Sequence, residues 1–178
     1  MKQLIIFITF FLVTIQGFSQ MIVVNSEGTF INSKNIKEFT KDSVSLLLDK
    51  PSRKFFNNYH WTYDKIGIGL KFGEANILED IEIQFKSNGL DFRPKNNFTG
   101  ELTVFGVKLS RETPLSKLKK IKELKFEKNY GFNVLIARVG NLALTFDYSD
   151  SVNKLNGVSI NQGSHELLDL IKMLKENK

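Results

Sequence analysis

Between Ile66 and Phe85 apolar residues recur at every second position: Ile66, Ile68, Leu70 and Phe72 in one stretch, then Ile81, Ile83 and Phe85 in the next. A period of two sends successive side chains to opposite faces of an extended chain, so each stretch is predicted to be a strand with one buried face. Asp80, Glu82 and Gln84 fall on the other face of the second strand, which reads as an acidic, solvated surface, with the polar rim of an interface as the alternative. The same alternation returns later in the chain. Ile68, Leu70 and Phe72 correspond to Leu142, Leu144 and Phe146, and Leu78, Ile81 and Ile83 correspond to Leu155, Val158 and Ile160.

The flanking segments repeat in the same order. Met21–Asn32 and Glu101–Leu109 each read as strand, glycine turn (Gly28, Gly106) and strand. Thr40 then offers a helix N-cap ahead of Val44, Leu47 and Leu48, with Pro51 as the stop. Thr113 and Pro114 offer a cap and a first helical residue ahead of an apolar stripe at Leu115, Leu118, Ile121 and Leu124. Two further strands meet at Gly140–Asn141, and Ser164 caps a closing helix apolar at Leu167, Leu168, Ile171 and Leu174. The expected fold class is therefore α+β: two similar antiparallel β-sheet units, each with a short helix, arising by internal duplication, plus a C-terminal helix. The divisions are a leader over 1–19, a first unit over 20–95, a second over 96–162 and the helix over 163–178.

The leader assignment rests on Lys2, an apolar run from Leu4 to Ile15, and the small residues Gly17 and Ser19. That run is shorter than the about 20 residues a membrane span needs, so a cleaved signal peptide and export to the periplasm or beyond are expected, with no integral span left after cleavage. The chain has no cysteine, which excludes disulfides and a lipid-modified cysteine anchor. The net charge of +6 comes from dispersed lysines without arginine–aromatic interleaving, so a nucleic-acid partner is not expected.

Motifs for chemistry are sparse. His60 and His165 are the whole histidine supply, too few for a zinc site in a cysteine-free chain. There is no Gly-x-Ser-x-Gly nucleophile turn, no calcium-loop spacing and no phosphate-binding glycine loop, so no cofactor and no enzymatic activity are expected. In "NYHWTYD", His60, Thr62 and Asp64 share one strand face, and Tyr59, Trp61 and Tyr63 share the other. Large aromatics dominate interface energetics, so Tyr59, Trp61 and Tyr63 are candidate partner-binding residues. Lys119 and Lys122 join them from the lysine-rich second helix. The expected function is an exported, non-enzymatic protein-binding module, inhibitor- or immunity-like, with a protein partner. The alternatives are a small exported hydrolase using His60 and Asp64, and an envelope-associated structural protein that uses the lysine helix.

The stretch "TKDSVSLLLDKPSR", followed by "YHWTYDKIGIGLKF" and "ILEDIEIQF", resembles exported bacterial domains of unknown function in which a helix ending in a Lys-Pro-Ser-Arg turn precedes an aromatic strand and an antiparallel sheet. It is also similar, more distantly, to the helix-plus-sheet repeats of the beta-lactamase inhibitory protein and of small outer-membrane assembly lipoproteins. That resemblance implies a non-catalytic binding surface. The lipoprotein members require a cysteine that this chain lacks, and no functional residue is carried over.

Overall fold

The computed structural model describes residues 20–127, 133–149 and 153–162; the leader and the C-terminal helix, with His165, lie outside the described residues. Strands β1 (Met21–Asn25), β2 (Gly28–Ile31) and β3 (Lys34–Asn35) lead through a 3₁₀ turn at Ile36–Glu38 into helix α1 (Lys41–Leu48). Strands β4 (Arg53–Phe55), β5 (His60–Tyr63), β6 (Ile68–Phe72) and β7 (Leu78–Gln84) complete the first half. The second half supplies β8 (Glu101–Val104), β9 (Val107–Leu109), helix α2 (Leu115–Leu118), β10 (Lys125–Phe126), β11 (Val134–Val139), β12 (Leu142–Tyr148) and β13 (Leu155–Gln162).

Local chemistry accounts for several boundaries. Thr40 caps α1 in a reciprocal capping box with Ser43, and Val44 and Leu48 are the helix's buried residues. Phe105 and Gly106 both take positive φ, 45° and 76°, as a two-residue hairpin between β8 and β9 requires. Helix α2 is far shorter than its apolar stripe suggests. Thr113 does not cap it, because its Oγ1 accepts instead from the Ser110 N–H. Beyond Leu118 the backbone tightens into three-residue turns, Ile121 N–H to Leu118 O and Leu124 N–H to Ile121 O, that still bury Leu118, Ile121 and Leu124.

The α+β class holds, with the sheets arranged differently from one per half. Both halves feed both sheets: a five-stranded sheet ordered β3-β2-β1-β8-β9 and an eight-stranded sheet ordered β10-β11-β12-β13-β7-β6-β5-β4. β1 and β8 pair in parallel, Ile22 opposite Leu102 and Val24 opposite Val104, which the intervening residues permit because they form a long crossover. In the larger sheet β7 and β13 join antiparallel, with Ile81 opposite Ile160, Glu82 opposite Ser159 and Ile83 opposite Val158. Exchanging Ile81 with Val158 and Ile83 with Ile160 maps this register onto itself, so the seam has a local twofold at Glu82 and Ser159. The neighbouring strands correct the sequence alignment: Ile68 pairs with Ile83 whereas Leu144 pairs with Ile160, so Ile68 matches Leu144 and not Leu142. A slip of two residues keeps every side chain on its face, which is why alternation alone cannot see it.

One hydrophobic cluster draws on both sheets: Ile22, Val24, Ile31, Leu102 and Val104 from the smaller, and Leu70, Ile81, Ile83, Leu144, Phe146 and Ile160 from the larger. The core-facing side of the eight-stranded sheet is thereby fixed. Its other side carries the polar residues.

Candidate functional site

Strand pairing lays those polar residues in rows. Thr62, Gly69, Glu82, Ser159 and Thr145 stand side by side across five strands, flanked by a row of His60, Lys71, Asp80 and Asn161 and a row of Gln84, Gly157 and Asp147. This face is not the solvated surface expected from the sequence: His60, Thr62, Asp80, Glu82 and Gln84 are all buried. The segment between β7 and β8 folds back over part of it. The Phe98 N–H donates to Gln84 O, and Gly67, at φ +73°, admits that return because a Cβ there would lie 2.3 Å from the Phe98 nitrogen.

Arg53 fastens the same segment. Its guanidinium binds both carboxylate oxygens of Asp64, each at 2.7 Å, and also donates to the backbone oxygens of Asp91 and Arg93. Asp64 in turn accepts from the Lys95 N–H at 3.0 Å. The hydrogen bond from Arg53 holds the Asp64 carboxyl below its ordinary pKa, against the opposing effect of burial. Asp64 therefore pairs with Arg53, while the carboxylate set beside His60 is that of Glu82.

His60 has other neighbours. Its Nε2 lies 3.7 Å from Glu82 Oε2, and Phe56 stacks on the ring at 6.1 Å with an interplanar angle of 15°. Gly69 keeps the space open, since a Cβ on it would sit 3.1 Å from Glu82 Oε2 and 3.2 Å from His60 Nε2. Lys71 Nζ contacts Glu82 Oε1 at 2.8 Å and Asp80 Oδ2 at 3.7 Å, and Ser159 donates to Asp80 Oδ1 at 2.6 Å. Burial pushes the Asp80 carboxyl up to about 6, more than Lys71 and Ser159 pull it down. Burial likewise lowers the His60 imidazole, with Glu82 opposing. For Lys71 burial acts downward, but Asp80 and Glu82 outweigh it and hold the ammonium above its usual range. Glu82 Oε2 and His60 Nε2 have no hydrogen-bond partner, nor does Nε of Arg93. Among the described residues no group of three or more His, Cys, Asp or Glu is placed to hold a metal.

The sequence-predicted contacts fall on different surfaces. Trp61 and Tyr63, each 4% exposed, belong to the core. Trp61 packs edge-on against Phe72 at 4.9 Å, and its Nε1–H donates to Asn58 Oδ1. The correction is physical: the aromatic face of β5 is the core-facing side of its sheet, where the Tyr63 hydroxyl also donates to Asp49 O at the end of α1, so these two rings are not surface contacts. Tyr59 is 42% exposed at the β4–β5 turn with Lys41 Nζ 4.8 Å over its ring. Lys119 and Lys122 are exposed, on the turns beyond α2 and not on a helix face.

Sequence reasoning passed over Phe56, Lys71, Arg93 and Ser159. Phe56 had a signal in the Asn57–Asn58 pair that follows it, since asparagines favour left-handed turns. Phe56, Asn57 and Asn58 all take positive φ, 52°, 53° and 71°, and the turn leaves Phe56 66% exposed between the β4 edge and His60.

A family described as a domain of unknown function, DUF7738, matches residues 21–119, from β1 to just past α2. Among solved structures, the chain is similar to the crystal structure of a DUF4309 family protein (YjgB) from Bacillus subtilis subsp. subtilis str. 168. The identity is 13%, the TM-score 0.46, and the match covers 74% of this chain and 84% of that one. No curated protein matches. No helix among the described residues is long and apolar enough to cross a membrane.

Proposed function

The chain belongs to the DUF7738 family of domains of unknown function, and from its geometry we propose that it is an exported, non-enzymatic protein-binding module of inhibitor or immunity type that docks through the β4–β5 corner. The carrying observation is Phe56, 66% exposed and held at φ +52°. A bulky residue in the left-handed region is strained by roughly 1–2 kcal/mol. Strain of this kind, combined with an exposed ring, is what a preorganised recognition turn carries.

Tyr59 adds a second aromatic at the same turn, and Lys41 and Lys54 flank the corner, Lys54 Nζ lying 4.6 Å over the Trp61 ring on the adjoining strand. Exposed aromatics rimmed by lysines suit a partner with an apolar socket in an acidic surface. Export is supported by the leader pattern at Lys2–Ser19. A non-catalytic role accords with the Arg53–Asp64 pairing, which takes the carboxylate away from His60. Lys119 and Lys122 offer a further basic surface for the same acidic partner.

The test is a crosslinked pull-down from the native envelope and secreted fractions, with the leader-free protein and a Phe56→Ala/Tyr59→Ala variant of unchanged circular dichroism. Removing a hot-spot aromatic costs about 2 kcal/mol, or about thirtyfold in affinity. One stoichiometric acidic partner lost by the variant is the expected result. Equal capture by both proteins, or capture of nothing by either, overturns the proposal.

A further inference from the structure

Next to the His60 cluster, the polar face of the eight-stranded sheet sinks into a cavity of about 180 Å³. Glu82, Gln84, Arg93, Thr145, Asp147 and Ser159 line it, so both halves of the chain contribute. The backbone of Gly157 also lines it, without a side chain to fill the space; a Cβ there would stand 3.5 Å from Gln84 Nε2 and 2.9 Å from Ile83 O.

Two lining groups have unmet hydrogen-bonding capacity of opposite kinds. Glu82 has a side chain only 9% exposed; its Oε1 is held by Lys71, while Oε2, 3.7 Å from His60 Nε2, has no hydrogen-bond partner. Arg93 Nε–H is a buried donor, also without a partner. Charge-assisted hydrogen bonds are the strong ones, so a buried carboxylate oxygen selects an ammonium and the buried N–H of a guanidinium selects a carboxylate. A ligand that carries both satisfies both walls at once.

Size narrows the class further. About 180 Å³ is the liquid volume of roughly six waters and falls below the range of drug-sized pockets. A multiply charged anion such as phosphate would meet Glu82 and Asp147, and a divalent cation would meet Arg93. We propose that this cavity binds a small zwitterion, an amino acid no larger than about serine, with its ammonium on Glu82 and its carboxylate on Arg93. Gln84, Thr145 and Ser159 supply neutral polar atoms around it. This site is separate from the Phe56 corner, and either inference can fail without the other.

The experiment titrates the folded leader-free protein with glycine, β-alanine, 4-aminobutyrate and serine, following backbone amide shifts by NMR, with acetate and ethylammonium as single-charge controls. At least one zwitterion is expected to saturate at millimolar concentration and to shift the amides of Glu82, Gln84 and Gly157. Each control should bind at least about tenfold more weakly, and Glu82→Gln and Arg93→Gln should each weaken binding about tenfold. Thr145→Leu fills the cavity without touching a charge, and should abolish saturation even where a charge variant fails to fold. No saturation by any zwitterion, controls that bind as well, or a folded Thr145→Leu protein that binds unchanged each overturns the assignment.

Discussion

Replacing Asp80 by asparagine should stabilise this protein at neutral pH. Asp80 is buried between β6 and β13, accepts from Ser159, and lies 3.7 Å from Lys71, yet burial still pushes its carboxyl from 3.8 up to about 6. The desolvation of the charge therefore exceeds what Lys71 and Ser159 return. A folded-state value above the unfolded one means that the native protein holds this proton more tightly than the unfolded chain does. The stabilising contribution of protonated Asp80 is complete below about pH 4 and is lost as pH rises through about 6. The gap amounts to a penalty on the order of 3 kcal/mol at pH 7. Asparagine retains an oxygen for Ser159 and carries no charge, and Lys71 keeps Glu82 at 2.8 Å. The variant should accordingly melt roughly 6–12 °C higher than the wild type at pH 7, and the difference should shrink toward zero at about pH 4. His60, whose imidazole is lowered by burial and so acts in the opposite sense, is present in both proteins, so the difference between them isolates Asp80. Calorimetric melts at pH 4, 5, 6 and 7 measure it. A variant less stable at pH 7, or a difference independent of pH, would refute the claim that desolvation dominates.

Arg53→Met should release the segment from Asp91 to Lys95 and cost about 1–3 kcal/mol, since it leaves Asp64 partly buried and unpaired; hydrogen exchange at the Lys95 amide should accelerate, and unchanged protection would count against the fastening role. Gly67→Ala should cost more than about 3 kcal/mol in urea unfolding, because a Cβ there meets the Phe98 backbone at 2.3 Å on a residue with φ +73°. Thr40→Ala removes the α1 cap and should cost about 1 kcal/mol, with Ser43→Ala non-additive to it because the two form one capping box.

The elements most visible in the sequence are those governed by nearest neighbours. Alternation located β6, β7, β12 and β13, Thr40 located the start of α1, and the glycines at 106 and 140 located their hairpins. What neighbours cannot encode is what lies across a strand. Asp80 and Glu82 were assigned to the correct face, but the burial of that face depends on packing that includes the segment around Phe92, Arg93 and Phe98, which has no period of its own. Trp61 and Tyr63 look like interface aromatics until the core packing over their face is known. β4 is too short at Arg53–Phe55 to declare itself, yet it carries both the arginine that pins the covering segment and the approach to Phe56. For the second helix, the lysine-rich stripe has the right period, and the loss of the Thr113 cap to Ser110 leaves only one turn of α-helix.

The seam between β7 and β13 also sets an order of events. β7 is complete in the chain long before β13 is made, and until then the β7 edge of strands β4–β7, with Ile81 and Ile83, has no strand beside it. Pairings between residues so far apart in sequence form slowly, and an open strand edge invites pairing with other chains. The cavity wall formed by Ser159, Thr145 and Asp147 closes only when that late strand arrives. Ligand competence is thus a certificate of finished folding: a molecule stalled after its first half would carry Glu82 but not the pocket that gives Glu82 a purpose.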